Sequence, residues 1–174
     1  MSGITAKVLT LYGDNISTDD MTSGKFLDRT DPKDLAEICM RDIDPDFPKR
    51  MAPGGFLVAG KNFGCGSSRE TAPVALKECN VLAIIAEEYA RIFYRNCINI
   101  GLPLIECPGI AKKVNLNDEL EINFESGLIK NLTNGEEYQG SPIPPFLLEK
   151  VEEGGLMAGL KKWAEEQFNS RNPV

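Results

Sequence analysis

The sequence contains no histidine among its 174 residues. That absence excludes Ser-His-Asp and Cys-His catalysis within the chain, and it removes histidine as a metal ligand. Any proton transfer by this chain must therefore use a carboxylate, a lysine, a tyrosine, a thiol or an activated hydroxyl.

Closely spaced cysteine pairs are also missing. The five cysteines are odd in number and contain no Cys-x-x-Cys pattern; they are Cys39, Cys65, Cys79, Cys97 and Cys107. Their spacing indicates neither a metal site nor a cluster site in this chain. We expect free thiols in a reducing compartment. Cys65 lies in the glycine-rich loop described below, where we interpret it as a small residue that fills space.

The sequence has neither a long apolar run nor a basic run. No apolar stretch approaches the ~20 residues that span a membrane, and the first residues lack the apolar core of a signal peptide. The formal net charge of −7 disfavours binding to nucleic acid or to an anionic membrane surface. We therefore expect a cytoplasmic protein of one domain, or of one domain with a short appendage, that is large enough to form a hydrophobic core.

Residues 54–69 combine an apolar run with a glycine-rich loop. The run at 56–59, Phe-Leu-Val-Ala, predicts a short buried strand. The loop that follows contains Gly60, Gly64 and Gly66. We expect a helix to open at Ser67 and Ser68 and to end at about Cys79.

The end of that strand predicts an anion-binding site. A glycine-rich loop that leads into a helix presents unpaired backbone N–H groups and the positive end of the helix dipole. Arg69 adds a planar fork of donors that suits a carboxylate or a phosphate. The residues alone also allow a structural interpretation, in which the glycines make a turn, Ser67 caps the helix and Arg69 is solvated.

The order of the other elements predicts an α/β layer. Apolar runs predict strands at 7–12, 81–86 and 102–106, and amphipathic stretches predict helices at 32–42 and 87–98. Strands that alternate with helices imply parallel crossover connections. The first of these helices begins with Asp31 as N-cap and Pro32 at its first position. Residues 13–30 lack periodicity and predict a long functional loop.

From Glu119 the pattern changes to that of an antiparallel sheet. Residues 120–124, Leu-Glu-Ile-Asn-Phe, alternate with a period of two, and Asn134-Gly135 predicts a hairpin turn. Helices are expected at 146–151 and 156–168. We expect the apolar stripe of the last helix to pack on the domain; it comprises Leu156, Leu160 and Trp163.

Four motifs in the same order resemble one protein family. Residues 64–70, Gly-Cys-Gly-Ser-Ser-Arg-Glu, resemble the signature of the swivelling domain of the aconitase superfamily. Residues 13–19 are similar to its Gly-Asp-Asn-x-x-Thr-Asp motif, and residues 86–95 to its Ala-Glu-Ser-Phe-Ala-Arg-Ile-Phe-Tyr-Arg motif. Residues 96–104 follow as the run that ends in Gly-Leu-Pro-Leu. The chain looks most like the small subunits of 3-isopropylmalate dehydratase and their relatives.

The resemblance implies a fold and a reaction. The fold is the swivelling β/β/α domain of the aconitase C-terminal type, an α/β fold with a mixed sheet and flanking helices. It would form a single domain over residues 1–174, with a C-terminal helical extension at about 144–170. The reaction is that of a hydro-lyase, which interconverts 2-isopropylmalate and 3-isopropylmalate by dehydration and rehydration in leucine biosynthesis.

The resemblance also implies site residues and a partner. Ser67 matches the serine base of the family, and Ser68 and Arg69 match the residues that hold a substrate carboxylate. The family's [4Fe-4S] cluster is expected in a separate large subunit, so this chain would hold no cofactor and no metal. The active site would then lie at the interface of the two chains, with a small di- or tricarboxylate as substrate.

The loop at 21–31 corresponds to the segment that reads the side group of the substrate in this family. Its start, Met-Thr-Ser-Gly-Lys-Phe-Leu, departs from the usual Ile-Ile-Pro-x-Arg-Tyr-Leu. Homoaconitase-like forms place an arginine where this chain has Asp28, and Arg29 follows one residue later. Arg29 is either a substrate-binding residue or a surface charge paired with Asp28 or Asp31.

Two further departures leave the particular substrate open. Thr71 and Ile100 stand where the family usually has histidine and asparagine. The alternatives are the small subunit of a homoaconitase, of a citraconate or methylmalate enzyme, or of a dimethylmalate dehydratase. An alternative of another class is a stand-alone anion-binding module, although the chain lacks the Gly-x-x-x-x-Gly-Lys-Ser/Thr phosphate loop.

Overall fold

The computed structural model describes residues 3–26 and 28–162. Within them the strands are β1 (Ile4–Leu11), β2 (Gly55–Ala59), β3 (Val81–Ala86), β4 (Leu104–Glu106), β5 (Glu119–Asn123), β6 (Leu128–Asn131) and β7 (Glu137–Gln139). The α-helices are α1 (Thr18–Met21), α2 (Pro32–Ile38), α3 (Phe47–Met51), α4 (Thr71–Glu78), α5 (Arg91–Asn99) and α6 (Pro145–Glu152). Short 3-10 helices span Gly24–Phe26 and Ile110–Lys112.

The strands form one mixed sheet in the order β4-β3-β2-β1-β5-β6-β7. The pairs β1–β2, β2–β3 and β3–β4 are parallel. The pairs β1–β5, β5–β6 and β6–β7 are antiparallel. Helices connect the parallel strands, as crossover connections require. The predicted fold class, an α/β fold with a mixed sheet and flanking helices, is confirmed.

The strand β2 is buried along its whole length, which explains its continuous apolar sequence. Alternate side chains belong to two different cores. Leu57 and Ile84 lie in the core formed with the helices, whereas Phe56 and Ile85 lie in the core formed with the antiparallel strands. The parallel half of the sheet is therefore covered on both faces.

The predicted antiparallel part is confirmed. In β5, Leu120 and Ile122 are buried and alternate with more exposed residues. Asn134-Gly135 lies between β6 and β7, where Gly135 has a φ of 80°. The buried side chain of Asn131 donates to Asp118 Oδ2 at 2.8 Å, so its burial is compensated by a charge-assisted hydrogen bond.

The helix α2 ends earlier than predicted. Its start is confirmed, because the Asp31 side chain accepts from the N–H of Lys33 at 2.9 Å. The predicted end at residue 42 is wrong, since the helix ends at Ile38. Met40 has a φ of 59° and donates its N–H to the carbonyl of Met21 at 3.0 Å. A tertiary hydrogen bond thus replaces the helical one.

The helix α5 begins at Arg91 rather than at residue 87. The preceding residues continue the parallel pairing beyond the strands. Phe63 donates its N–H to the carbonyl of Glu88 at 3.0 Å, and Ala90 donates its N–H to the carbonyl of Phe63 at 2.9 Å. The chain stays extended through this pairing, so the helix starts only after it.

The C-terminal part contains α6 followed by Gly154 and Gly155, whose φ values are 84° and 106°. Residues 156–162 are helical. The rest of the helix predicted to reach residue 168, including Trp163, lies outside the described residues. Leu156 and Leu160 keep 38% and 50% of their surface exposed. No helix in the described ranges is long and apolar enough to span a membrane.

Gly64 lies where two loops and α5 meet. Its φ is 79°, and a Cβ at this position would lie 2.1 Å from Cγ of Phe93. Its N–H donates to the carbonyl of Ile16 at 2.8 Å. Both the backbone conformation and the close ring therefore require glycine.

We predict that Gly64→Ala lowers the free energy of unfolding by about 2–5 kcal/mol, the sum of backbone strain and overpacking. Gly135→Ala is the matched control, because its φ is 80° and nothing lies within 4 Å of the added Cβ. Only the strain of about 1–2 kcal/mol should remain there. Urea denaturation of both variants measures the difference, and equal losses would contradict the steric explanation.

Candidate functional site

The loops that follow β1 and β2 lie side by side at the carboxyl ends of the parallel strands. The N–H of Gly60 donates to the carbonyl of Gly13 at 3.1 Å, and the N–H of Asn15 donates to the carbonyl of Lys61 at 2.9 Å. Farther along, the N–H of Thr18 donates to the carbonyl of Cys65 at 2.8 Å. The two loops therefore extend the β1–β2 pairing, at the edge of an α/β sheet where ligands commonly bind.

The helix after the glycine-rich loop begins at Thr71, so the predicted start at Ser67 and Ser68 is wrong. Its N-cap position is Glu70, which makes no side-chain cap hydrogen bond. Pro73 explains this boundary, because a proline is accommodated in the first turn of a helix but breaks a helix that has already begun. The alternative interpretation of Ser67 as a helix cap is therefore also wrong.

Ser67 and Ser68 are exposed in the loop before α4. The hydroxyl of Thr18 donates to the backbone carbonyl of Ser67 at 2.9 Å and lies 3.4 Å from its Oγ. The backbone of Ser67 is thus anchored to the neighbouring loop while its side chain faces solvent. An incoming ligand can reach this hydroxyl directly.

Arg69 is held by an ion pair instead of being solvated. Its Nη1 lies 2.6 Å from Oδ1 of Asp19, and its side chain is 20% exposed. The same Nη1 donates to the carbonyl of Thr22. The N–H of Gly24 donates to Asp19 Oδ1 at 2.9 Å. The pKa of the Asp19 carboxyl is lowered from its usual value, mainly by the hydrogen bond from Gly24 and next by the hydrogen bond from Arg69.

Sequence reasoning did not assign roles to Thr18 and Asp19, although both lie in the Gly-Asp-Asn-x-x-Thr-Asp motif. They begin α1, which interrupts the loop predicted at 13–30. The signal for this helix was present as a capping box, in which Ser17 and Asp20 exchange hydrogen bonds. The short helix places Thr18 against Ser67 and Asp19 against Arg69.

The loop that corresponds to the substrate-reading segment contains the 3-10 helix Gly24–Phe26. The guanidinium of Arg29 lies 5.1 Å from the centre of the Phe26 ring, a distance typical of a cation–π contact. Within the described residues the structure gives no contact between Arg29 and Ser67, Ser68 or Arg69. Ser67, Ser68 and Arg69 are consecutive in one loop, whereas the side-chain contact described for Arg29 is with Phe26.

The described residues lack the groups of side chains that a metal site requires. Among residues 3–26 and 28–162, no group of three or more Cys, Asp or Glu side chains could hold a metal ion. Cys65 is half-buried and the other four cysteines are buried. Burial raises the pKa of the Cys97 thiol, and such a thiol is a poor metal ligand because ligation requires the thiolate.

Comparison with known proteins identifies a family. Residues 13–108 match the aconitase C-terminal domain. The isopropylmalate/citramalate isomerase small subunit of Methanocaldococcus jannaschii is 55% identical over 157 residues, which cover 90% of this chain and 94% of the relative. The 3-isopropylmalate dehydratase small subunit of Ruminiclostridium cellulolyticum is 51% identical over 150 residues, 86% of this chain and 92% of the relative.

A solved structure agrees with this result. The crystal structure of 3-isopropylmalate dehydratase (leuD) from Methanocaldococcus jannaschii matches with a TM-score of 0.86 and 37% identity, over 97% of this chain and 99% of that one. The resemblance found in the sequence is confirmed. The chain therefore belongs to the aconitase C-terminal domain family and, within it, to the small subunits of the 3-isopropylmalate dehydratase type.

Proposed function

We propose that this chain is the small subunit of a cytoplasmic two-chain hydro-lyase that interconverts 2-isopropylmalate and 3-isopropylmalate. The observation that carries the proposal is the exposed Ser67 in a loop fixed by backbone pairing, on a chain 51% identical to a 3-isopropylmalate dehydratase small subunit. The reaction eliminates water and adds it back with the hydroxyl on the adjacent carbon.

Ser67 is assigned as the base that removes a proton from carbon. The chain has no histidine to serve as the base, and Ser67 matches the serine that removes this proton in the family. The Ser67 hydroxyl is exposed and its backbone is anchored, which suits a group that must approach the substrate C–H. In the forward direction the Ser67 alkoxide accepts the proton from carbon and becomes a hydroxyl, while the substrate hydroxyl leaves the adjacent carbon with the bonding electron pair.

The stabilisation of the Ser67 alkoxide must come from more than this chain. A helix dipole is not available, because α4 begins four residues after Ser67. Within the described residues, the side-chain contact of Ser67 Oγ is Thr18 Oγ1 at 3.4 Å. We therefore assign the remaining stabilisation to groups that the large subunit brings to the interface.

Arg69 and Ser68 are assigned to a substrate carboxylate. A guanidinium has five N–H donors, and the contacts described for Arg69 engage Nη1 with Asp19 and with the carbonyl of Thr22. Nη2 lies 3.2 Å from the position that a Cβ on Gly24 would take, so glycine leaves space beside it. Asp19 thereby orients the arginine through Nη1, and no hydrogen bond or ion pair of Nη2 is described within residues 3–26 and 28–162.

The proposed partner is a large subunit that carries a [4Fe-4S] cluster. The residues of this chain do not fit such a cluster, since its described part offers no group of metal ligands. Bound in the large subunit, the cluster would act as a Lewis acid on the leaving hydroxyl. The role of this chain is then limited to proton transfer and carboxylate binding.

A citramalate-type substrate is the second candidate. The observation in its favour is the name of the 55% identical relative, an isopropylmalate/citramalate isomerase small subunit. A homoaconitase-type substrate has less support, because Asp28 occupies the position of the additional arginine and Arg29 lies against Phe26. A stand-alone anion-binding module has the least support, because the relatives are subunits of enzymes.

We expect the purified chain alone to contain no stoichiometric iron and to show no dehydratase activity. Mixed with the iron-loaded large subunit, it should interconvert 2- and 3-isopropylmalate, and a parallel assay with citramalate separates the two candidates. Metal analysis and chromatography of the products are the measurements. An active isolated chain, or a complex inactive on both substrates, would refute the proposed function.

The complex containing Ser67→Ala should lose turnover by roughly a hundredfold or more, because the proton acceptor is gone. Its KM should change little. The melting temperature should also stay the same, because Ser67 caps no helix. Ser68→Ala is the matched control, the same change at the adjacent exposed serine, and it should raise KM more than it lowers turnover. Turnover of Ser67→Ala within a few-fold of wild type would remove Ser67 from the reaction.

Arg69→Lys should lower kcat/KM, because lysine keeps the charge but loses the planar fork of donors. The expected loss of transition-state stabilisation is about 2 kcal/mol, the order of one charge-assisted hydrogen bond. Arg50→Lys is the control, since Arg50 also pairs with a carboxylate, that of Asp44, away from the loop. Its kinetics should match the wild type. Steady-state assays of the reconstituted complex measure both variants, and equal effects would place Arg69 outside the substrate site.

A further inference from the structure

The outward side of α5 carries a patch unlike the rest of this acidic chain. Arg91, Ile92 and Arg95 are exposed there, while Phe93 and Cys97 on the opposite side are buried. Ile92 keeps 54% of its surface exposed. We refer to Arg91, Ile92 and Arg95 as the α5 face.

The helix α5 begins beside the glycine-rich loop that leads to Ser67. Phe63, four residues before Ser67, pairs with the backbone of Glu88 and Ala90 immediately before α5 begins. Gly64 contacts the ring of Phe93 in the first turn. A large subunit that covers Ser67 would therefore lie close to the start of α5.

Within the described residues, neither arginine of the face forms a direct ion pair. They stand four residues apart on one helix, where like charges repel. Arg91 is also at the first position of a helix that has no acidic residue in its first turn and no side-chain cap, and a positive charge is unfavourable at that end. Among residues 3–26 and 28–162, the structure describes no ion pair within 4.0 Å for either arginine.

A cavity adjoins the two arginines. Its volume is about 270 Å³, and Arg91, Tyr94, Arg95, Glu106 and Ser141 contribute to its lining. A cavity of this size accepts one or two side chains rather than a large cofactor. An acidic side chain of a partner would meet two guanidinium groups and one carboxylate, that of Glu106, there. Ile92 offers an apolar contact on the same side of the helix.

We propose that the α5 face docks an acidic segment of the large subunit, with a carboxylate between Arg91 and Arg95 and an apolar side chain on Ile92. This inference rests on the proposed function, because it assigns the surface by which the small subunit binds the large subunit. Two observations select the large subunit as the occupant. One is the exposed pair of arginines without a described ion pair, which favours an acidic partner, and the other is the start of α5 beside the loop that leads to Ser67.

The test is the affinity of the wild-type and variant small subunits for the purified large subunit, measured by calorimetric titration at two salt concentrations. Ile92→Asp and Arg95→Glu should each weaken binding about tenfold or more, as expected for central interface residues. Arg95→Glu should also reduce the salt dependence. The matched control is Leu116→Asp, since Leu116 is also 54% exposed but precedes β5 on the antiparallel half, and its affinity should stay within about twofold.

Activity at saturating large subunit distinguishes this surface from a substrate site. There, kcat and KM of the α5-face variants should return to within about threefold of wild type. Unchanged affinity of the variants for the large subunit would overturn the inference. If turnover were lost at the same time, the arginines would be assigned to substrate binding instead. Self-association of the small chain that Ile92→Asp abolishes would overturn it in favour of a second copy. If the wild-type small and large subunits bind each other and the variants weaken that binding, but the complex acts on neither substrate, the proposed function fails and the docking surface stands.

Discussion

The backbone pairing between residues 13–18 and 60–65 is the constraint on which the site depends. These loops continue the parallel β1–β2 register past the ends of the strands. The pairing fixes α1 against the loop that carries Ser67, and α1 in turn supplies Thr18 and Asp19. Loops usually vary in conformation, but here each backbone is tied to the other, so the polar side chains are positioned with the rigidity of a sheet.

The site formed in this way is organised but incomplete. Its internal contacts anchor the backbone of Ser67 and orient Arg69, yet the hydroxyls of Ser67 and Ser68 face solvent. An arginine already paired with Asp19 loses less conformational entropy when it binds a second carboxylate, which favours binding by preorganisation. This chain presents oriented polar groups, and its partner is proposed to enclose them.

The sequence predicts the sheet better than the helix boundaries. Buried runs such as 56–59 and 81–86 can be interpreted locally, because a strand covered on both faces needs apolar residues throughout. The helix starts depend on distant partners, as when Phe63 holds the residues before α5 extended. For α4 a local signal existed in Pro73, and it outweighs the serines that suggested an earlier start. The Asp19–Arg69 pair joins residues 50 positions apart, so no local pattern reports it.

The first strand of the chain is the central strand of the sheet, and this has a consequence for the order of folding. β1 pairs with β2 on one side and with β5 on the other, so Ile4 meets Ile122 only after most of the chain has left the ribosome. Until then one edge of β1 is unpaired, and such edges invite aggregation during synthesis. Contacts this far apart in sequence also slow folding. The pairing of the central strand is therefore completed only when residues 119–123 emerge.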